Sequence, residues 1–248
     1  MTSLSLVTGT YKRPDSLARL VTSIMVHTQL DWELLIADGD GSAEAWAKHE
    51  RIRVIPDGET PLGHTKAYNR CFRMCQGEWV LWLNDDAEVE PGYDVYAVSF
   101  MRTHPAIGLG CLYYREKRGD KFTEYHINRY RGMLYANFGI LAKEFGDSLG
   151  WFDEDFPMYG ADNSLAFRTL LAGRGIAGIS DAHLVHHSEQ DEVRAANQEH
   201  RKVVSGLFNS KYGQYMDQMH RTFTQLALPE DIPHIPTQRR ARLHRRTS

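Results

Sequence analysis

Cysteine is scarce in this sequence: Cys71, Cys75 and Cys111 are the whole complement among 248 residues. Three thiols are too few for a disulfide framework, and the spacing of Cys71 and Cys75 falls inside a helical pattern, so a reduced, cytosolic setting is expected. Long apolar runs are also missing, with nothing approaching the roughly 18 residues that span a bilayer. The start, MTSLSLVTGTYKRPD, has no basic leader ahead of a long apolar core, which argues against a signal peptide. Neither G-x-G-x-x-G after the first strand nor G-x-x-x-x-G-K-[ST] occurs, which removes the usual dinucleotide and triphosphate signatures. No internal repeat or low-complexity block interrupts the chain.

What remains is ordinary globular composition, 42% hydrophobic and 25% charged, enough to bury a core as one large α/β domain with an added helical piece. The net charge of −3 conceals an asymmetry. Five arginines (239, 240, 242, 245 and 246) lie in the last ten residues, and without them 24 basic side chains face 32 acidic ones, a net −8. An acidic body with a basic tail suits either a solvated terminus or contact with nucleic acid or an anionic membrane surface.

Strand-like and helix-like stretches alternate, the pattern of a mostly parallel sheet flanked by helices. LSLVTG is a short apolar run. RPDSLARLVTSIMVH then sets Leu17, Leu20, Val21 and Ile24 on one helical face, with Pro14 and Asp15 as start signals. WELLIADGDGS reads as a second strand entering an acidic turn, RIRVIP as a third, and PLGHTKAYNRCFRMCQG as a helix closed by Gly77. EWVLWL is apolar on both faces, as a doubly covered strand should be, and runs straight into NDDAEVEPG. A helix over 92–104 and a strand at AIGLGCLYY follow. From about 190 the pattern is helical and amphipathic, and the prolines of LALPEDIPHIPTQ mark an extended linker to the tail. The expected division is a main α/β domain over 1–190, a helical C-terminal extension over 191–228, and a linker with basic tail over 229–248.

Ligands of open α/β sheets bind at the carboxyl ends of the strands. Three polar clusters fall there: Thr8 to Arg13, Asp38 to Ser42, and Asn84 to Glu88. Like charges as dense as Asp85, Asp86 and Glu88 need either open water or a cation. Mg²⁺ or Mn²⁺ prefers oxygen donors and is commonly held by one or two carboxylates plus substrate phosphates.

The order and spacing of four segments resemble the family-2 glycosyltransferases, inverting enzymes of the GT-A fold that use nucleotide-diphosphate sugars. They are LVTGTYKRPDSLARLVTSI, LLIADGDGS, HTKAYNRCFRMCQGEWVLWLNDDAEVEPG and GWFDEDFPMYGADNSLAFRTLLAGRGIAGISDAHLVHHS, together covering about residues 4–188. The resemblance implies a Rossmann-like GT-A sheet. It implies that Thr10, Tyr11 and Arg13, with Asp38 or Asp40, hold base and ribose, and that Lys66 and Asn69 border the nucleotide. Asp85 would lie near the ribose or donor sugar, and Asp86 would bind Mn²⁺ or Mg²⁺. His186 or His187 would join the metal or diphosphate; strand alternation turns the two to opposite faces, favouring one, His186. Asp162, at the first turn of a helix, would be the general base on an acceptor hydroxyl, with Trp151 and Phe152 placed to stack on the acceptor unless they are core.

Departures from the family pattern bear on substrate identity. ADGDGS inserts Gly39 between two aspartates, Lys12 stands where asparagine is frequent, and Ala161 stands where a glutamate usually precedes the base. A saccharide or glycolipid acceptor is favoured. The rivals are transfer to modified nucleic acid through the arginine tail, a catalytically silent module binding nucleotide or glycan, and nucleotidyl transfer. His183, His186 and His187 with Asp181 could also suggest zinc, though H-x-x-H-H on a strand lacks the helical metalloprotease spacing. The expected location is cytoplasmic, with peripheral membrane contact open to the tail.

Overall fold

A computed structural model describes residues 2–215 apart from 59, 61, 189 and 190, with backbone alone at 196, 198 and 199. The linker and basic tail expected over 229–248, and the end of the helical extension, lie outside the described residues.

The chain opens as β1 (Leu4–Thr10), α1 (Pro14–His27), β2 (Trp32–Asp38), β3 (Ile52–Pro56), α2 (His64–Met74) and β4 (Trp79–Trp82). Each strand coincides with an apolar run, and α1 begins at Pro14 with Asp15 in its first turn and His27 in its last, as the helix dipole favours. After the acidic turn come β5 (Ala87–Val89), α3 (Tyr93–Thr103), β6 (Ile107–Arg118), β7 (Lys121–Phe122), β8 (Asn128–Tyr130), β9 (Met133–Tyr135) and β10 (Gly139–Ala142). The remainder is α4 (Lys143–Leu149), α5 (Ala161–Leu171), β11 (Gly175–His186), α6 (Glu192–Ala196) and α7 (Gln198–Tyr212). No described helix is long and apolar enough to cross a membrane.

The main sheet runs β3-β2-β1-β4-β10-β6-β11-β5, with β7 pairing β6. Its first four strands are parallel, as the alternating pattern predicts. Beyond them the sheet is mixed: β10 lies antiparallel between β4 and β6, and β5 is antiparallel to β11. Alternate residues of each central strand feed two cores. Leu4, Leu6, Leu34, Ile36 and Leu81 meet α1 and α3 on one face. Val7, Leu35, Val80 and Trp82 meet α2 and α5 on the other. Burial on both faces explains why these strands read as continuous apolar runs.

The three cysteines are buried and unbridged, and burial pushes the thiols of Cys71 and Cys75 up to about 12, so none is a nucleophile at neutral pH. Two packing details place the ligand-binding edge. Gly139 of β10 lies so close to β4 that a Cβ there would drive into the Trp82 ring and Ala136. Short β5 pairs His186 with Ala87 and Val185 with Glu88, which draws the end of β11 to the acidic turn.

Gly139→Ala is therefore expected to lower stability by about 1–3 kcal/mol through overpacking against Trp82. Urea denaturation followed by tryptophan fluorescence measures this, and an unchanged midpoint would contradict the packing.

Candidate active site

A cavity of about 510 Å³ opens at the carboxyl ends of β1, β2 and β4, lined among others by Thr10, Tyr11, Arg13, Asp85, Asp86, Asp162 and His186. It brings together residues from all four segments singled out in the sequence.

One end is built around Arg13, the N-cap residue of α1. Its guanidinium reaches Asp85 Oδ1 at 3.2 Å and comes within 4.0 Å of Asp86 Oδ2. Its Nη2 also donates to Asp191 Oδ1 at 2.8 Å. Burial opposes the charge of Arg13, yet the three surrounding carboxylates outweigh it and hold the guanidinium above its ordinary range. Asp85 accepts from Thr10 Oγ1 at 3.1 Å, and burial, reinforced by the like charge of Asp86 and opposed by Arg13, pushes its carboxyl up to about 7. Tyr11 closes this end, its ring over Gly39 where a side chain would crowd it at 3.1 Å.

Asp86 and His186 face each other, with Oδ1 and Nε2 3.2 Å apart. The pairing of β5 with β11 produces this meeting, and the His187 amide donates to the Asp86 carbonyl at 2.9 Å. His187 turns its ring the other way, to Glu88 Oε2 at 3.0 Å, and does not line the cavity. Of the doublet, His186 is the member placed at Asp86. Side by side and both facing the cavity, this carboxylate and imidazole are the residues that would hold a divalent ion such as Mn²⁺ or Mg²⁺. No group of three or more potential metal ligands occurs among the described residues.

At the other end stands Asp162, the second residue of α5. Gly160 precedes it in the left-handed region (φ +94°), where a Cβ would press on Phe156 and Val204 at 2.8 Å. The Asp162 carboxylate accepts from the Asn163 amide at 2.8 Å. Burial dominates over these backbone donors and pushes its carboxyl up to about 6. His64, nearby on α2, is pushed down to about 4 by burial and is neutral.

Other expected residues lie outside the cavity wall. Asp38 turns into its own loop and accepts the amides of Gly41 at 2.9 Å and Ala43 at 3.1 Å. Asp40 is exposed and accepts from the Lys12 amide at 3.0 Å. Lys66 is exposed on the outer side of α2. Asn69, expected beside the nucleotide, instead clamps Phe152: its Nδ2 donates to the Phe152 carbonyl at 2.8 Å and its Oδ1 accepts the Phe152 amide at 2.9 Å. Trp151, expected at the acceptor, is a core residue, 1% exposed and stacked on Phe72 at 4.5 Å. Phe152 does line the cavity, edge-on to Phe72 and Trp82.

The remaining wall was not assigned from sequence. Val193, Arg194, Asn197 and Arg201 border the cavity from α6 and α7, and Asp191 caps α6 by accepting the Arg194 amide at 2.8 Å while it holds Arg13. Arg194, Asn197 and Arg201 follow a helical spacing of three and four residues, the one local signal of a shared face. Asp191 lies 178 positions from Arg13 and has no such signal.

Raising a carboxyl above its unfolded value means that the folded state binds the extra proton, so Asp162 costs stability as pH rises from about 4 through about 6. Asp162→Asn, which keeps the acceptor oxygen, should stabilise the fold by about 1–3 kcal/mol at pH 7 and by nothing at pH 3.5. Thermal or denaturant unfolding at the two pH values tests this; equal effects at both would contradict the raised carboxyl.

Residues 5–161 match the profile of Glycosyl transferase family 2. The chain is 25% identical over 221 residues to the O-antigen biosynthesis protein RfbC of Myxococcus xanthus, covering 74% of this chain and 17% of that protein. It is 26% identical over 141 residues to chondroitin synthase of Escherichia coli, covering 54% of this chain and 20% of that one. It is also 25% identical over 178 residues to the uncharacterized glycosyltransferase YwdF of Bacillus subtilis (strain 168), covering 63% and 64%. The chain therefore spans about a fifth of the first two relatives and under two thirds of the third. Among solved structures, S. aureus TarS 1-349 superposes with a TM-score of 0.63 at 18% identity over 75% of this chain and 61% of that one. The same protein in complex with UDP gives 0.61 at 17% identity, over 76% and 61%. At that identity the likeness establishes the fold, and the profile match over more than half the chain establishes the lineage: this chain carries a glycosyltransferase domain and belongs to glycosyl transferase family 2.

Proposed function

We propose that the protein transfers a sugar from a nucleotide-diphosphate sugar to a hydroxyl of a saccharide acceptor, with inversion at the anomeric carbon and with Mn²⁺ or Mg²⁺ at Asp86. The observation that carries this reading is the occupancy of one cavity by two unlike acidic centres. Asp86 stands beside His186, and Asp162 is held apart with a carboxyl raised to about 6. Environments that push two carboxylates to different tasks are a mark of acid–base sites.

In this reading Thr10, Tyr11 and Arg13 receive the nucleotide at the strand ends, and the UDP complex of TarS supports testing uridine first. Bound at Asp86 and His186, the divalent ion would neutralise the charge that develops on the departing diphosphate. Arg13, already set among Asp85, Asp86 and Asp191, contributes a fixed positive charge at the same end. Asp162 takes the proton from the acceptor hydroxyl as its oxygen attacks the anomeric carbon. The nucleoside diphosphate leaves from the opposite face, hence inversion. A base with a pKa near 6 is ionised at neutral pH yet basic enough to accept that proton. The names of RfbC and chondroitin synthase support a saccharide acceptor.

Two measurements test this. UDP with Mn²⁺, at a hundredfold excess over Kd, should raise the unfolding temperature by about 5–10 °C, and Asp86→Ala should abolish the Mn²⁺-dependent part. No response to UDP, GDP, TDP or CMP in folded protein would overturn the donor site. With an acceptor in hand, Asp162→Asn should bind donor normally yet lose about 10²–10⁴-fold in turnover, while wild-type turnover falls as pH drops below about 6. Near-wild-type transfer by the variant would remove Asp162 as base.

A further inference from the structure

The docking face of the C-terminal helices changes character along its length. Phe208 and Tyr212 of α7 are buried against Phe167 of α5, with ring centroids 5.5 and 4.9 Å apart. Tyr212 Oη bonds to Ser164 Oγ at 2.6 Å, and Lys211 Nζ donates to Asp153 Oδ2 at 2.6 Å. Val204 abuts Gly160. One turn earlier, on the same face, the apolar residues give way to Arg201, then Asn197 and Arg194. All three meet the cavity, where no core remains to cover them.

The two arginines serve different ends. Arg194 stands three residues from Asp191, which is bound to Arg13, and so belongs with the Asp86 side. Arg201 lies seven residues further, on α7 and beyond the break at Asn197. Its guanidinium sits over the ring of Tyr159, 4.6 Å from the centroid, three residues before Asp162. Arg201 and Asp162 both line the same cavity, with Tyr159 between them in its wall. Arg201 is exposed, lines the cavity and is paired with no carboxylate among the described residues. An arginine held on a docked helix, stacked on an aromatic ring and facing a cavity, is preorganised to take a carboxylate or phosphate.

We propose that Arg201, with Tyr159 beneath it, forms an acceptor subsite beside Asp162 that recognises an anionic group, so the preferred acceptor is a saccharide carrying a carboxylate or a phosphate. This deepens the transferase reading above and rests on it. Binding the anion at Arg201 orients the neighbouring sugar so that one hydroxyl is delivered to Asp162, which makes Arg201 a specificity-determining residue and not a participant in proton transfer. It sits on the surface of a helix anchored elsewhere by Phe208, Tyr212 and Lys211, so its substitution leaves the fold intact.

The test uses the full chain with UDP and Mn²⁺ saturating the donor end. Affinities for para-nitrophenyl β-glucuronide, its 6-phosphorylated glucoside counterpart and the neutral glucoside are measured by ligand-observed NMR. At least one anionic probe should bind roughly tenfold tighter than the neutral one, a difference of about 1.4 kcal/mol. The probe that does so identifies the anion. Arg201→Gln should bring that ratio to about one, Arg201→Lys should keep part of it, and UDP affinity should stay within about twofold. A ratio of one in the wild type for both anions would overturn the proposal. So would a loss of UDP affinity in Arg201→Gln matching the loss of the glycan, because the arginine would then serve the donor. Failure of UDP to bind at all counts against the donor reading instead, and the same ratio measured without nucleotide still decides the subsite.

Discussion

The site depends on one guanidinium. Arg13 is set among Asp85, Asp86 and Asp191, two buried carboxylates at the end of β4 and one at the start of α6. Taking the carboxylates of Asp85 and Asp86 out of bulk water without a counter-charge would be costly, and a buried ion cluster is tolerated only where the partners are present and well aimed. Arg13 supplies that partner from the N-cap of α1, so a residue on the first loop fixes the acidic turn and the C-terminal helices at once. The fork geometry is what lets one side chain bridge several carboxylates, and lysine would not reproduce it.

From this cluster the cavity divides naturally. The strand ends and the Asp86–His186 pair form a charged half suited to a metal-bound diphosphate. Asp162, Tyr159 and Arg201 form a second half supported by α5 and α7. The two halves draw on different physics. In the first, opposite charges are brought close and partly cancel. In the second, a carboxyl is enclosed by protein, so its proton affinity rises. Phe152 and Trp82 separate the halves from the core below, and Asn69 holds the Phe152 backbone in place.

Much of this was legible in the sequence where local pattern and tertiary role coincide. The apolar runs of β1, β2, β3 and β4 declared strands, that of β4 one buried on both faces, and the polar clusters after them declared an edge where ligands gather. The helix start at Asp162 and the strand end at His186 were legible locally, whereas their roles came only from the family resemblance. What escaped notice is what only long-range pairing creates. The three residues of β5 look like part of an acidic turn, yet their antiparallel pairing with β11 brings Asp86 to His186. The short strand β10 has no length to announce itself, and its insertion between β4 and β6 makes the sheet mixed. Asp191 meets Arg13 across most of the chain. Trp151 takes the core alternative, and Asn69 holds the Phe152 backbone instead of lining the cavity, because a motif fixes that a residue is required, not whether it touches the ligand or holds the residue that does.

The central claim is that the acidic turn is a cation site completed by the donor. The most direct measurement is an anomalous difference map at the manganese edge, from crystals grown with UDP and Mn²⁺. The account predicts a peak within coordination distance of the Asp86 carboxylate, bridging it to the diphosphate, with the base lying toward Tyr11. A nucleotide bound in this cavity with no manganese at Asp86, or a peak elsewhere in the molecule, would contradict it.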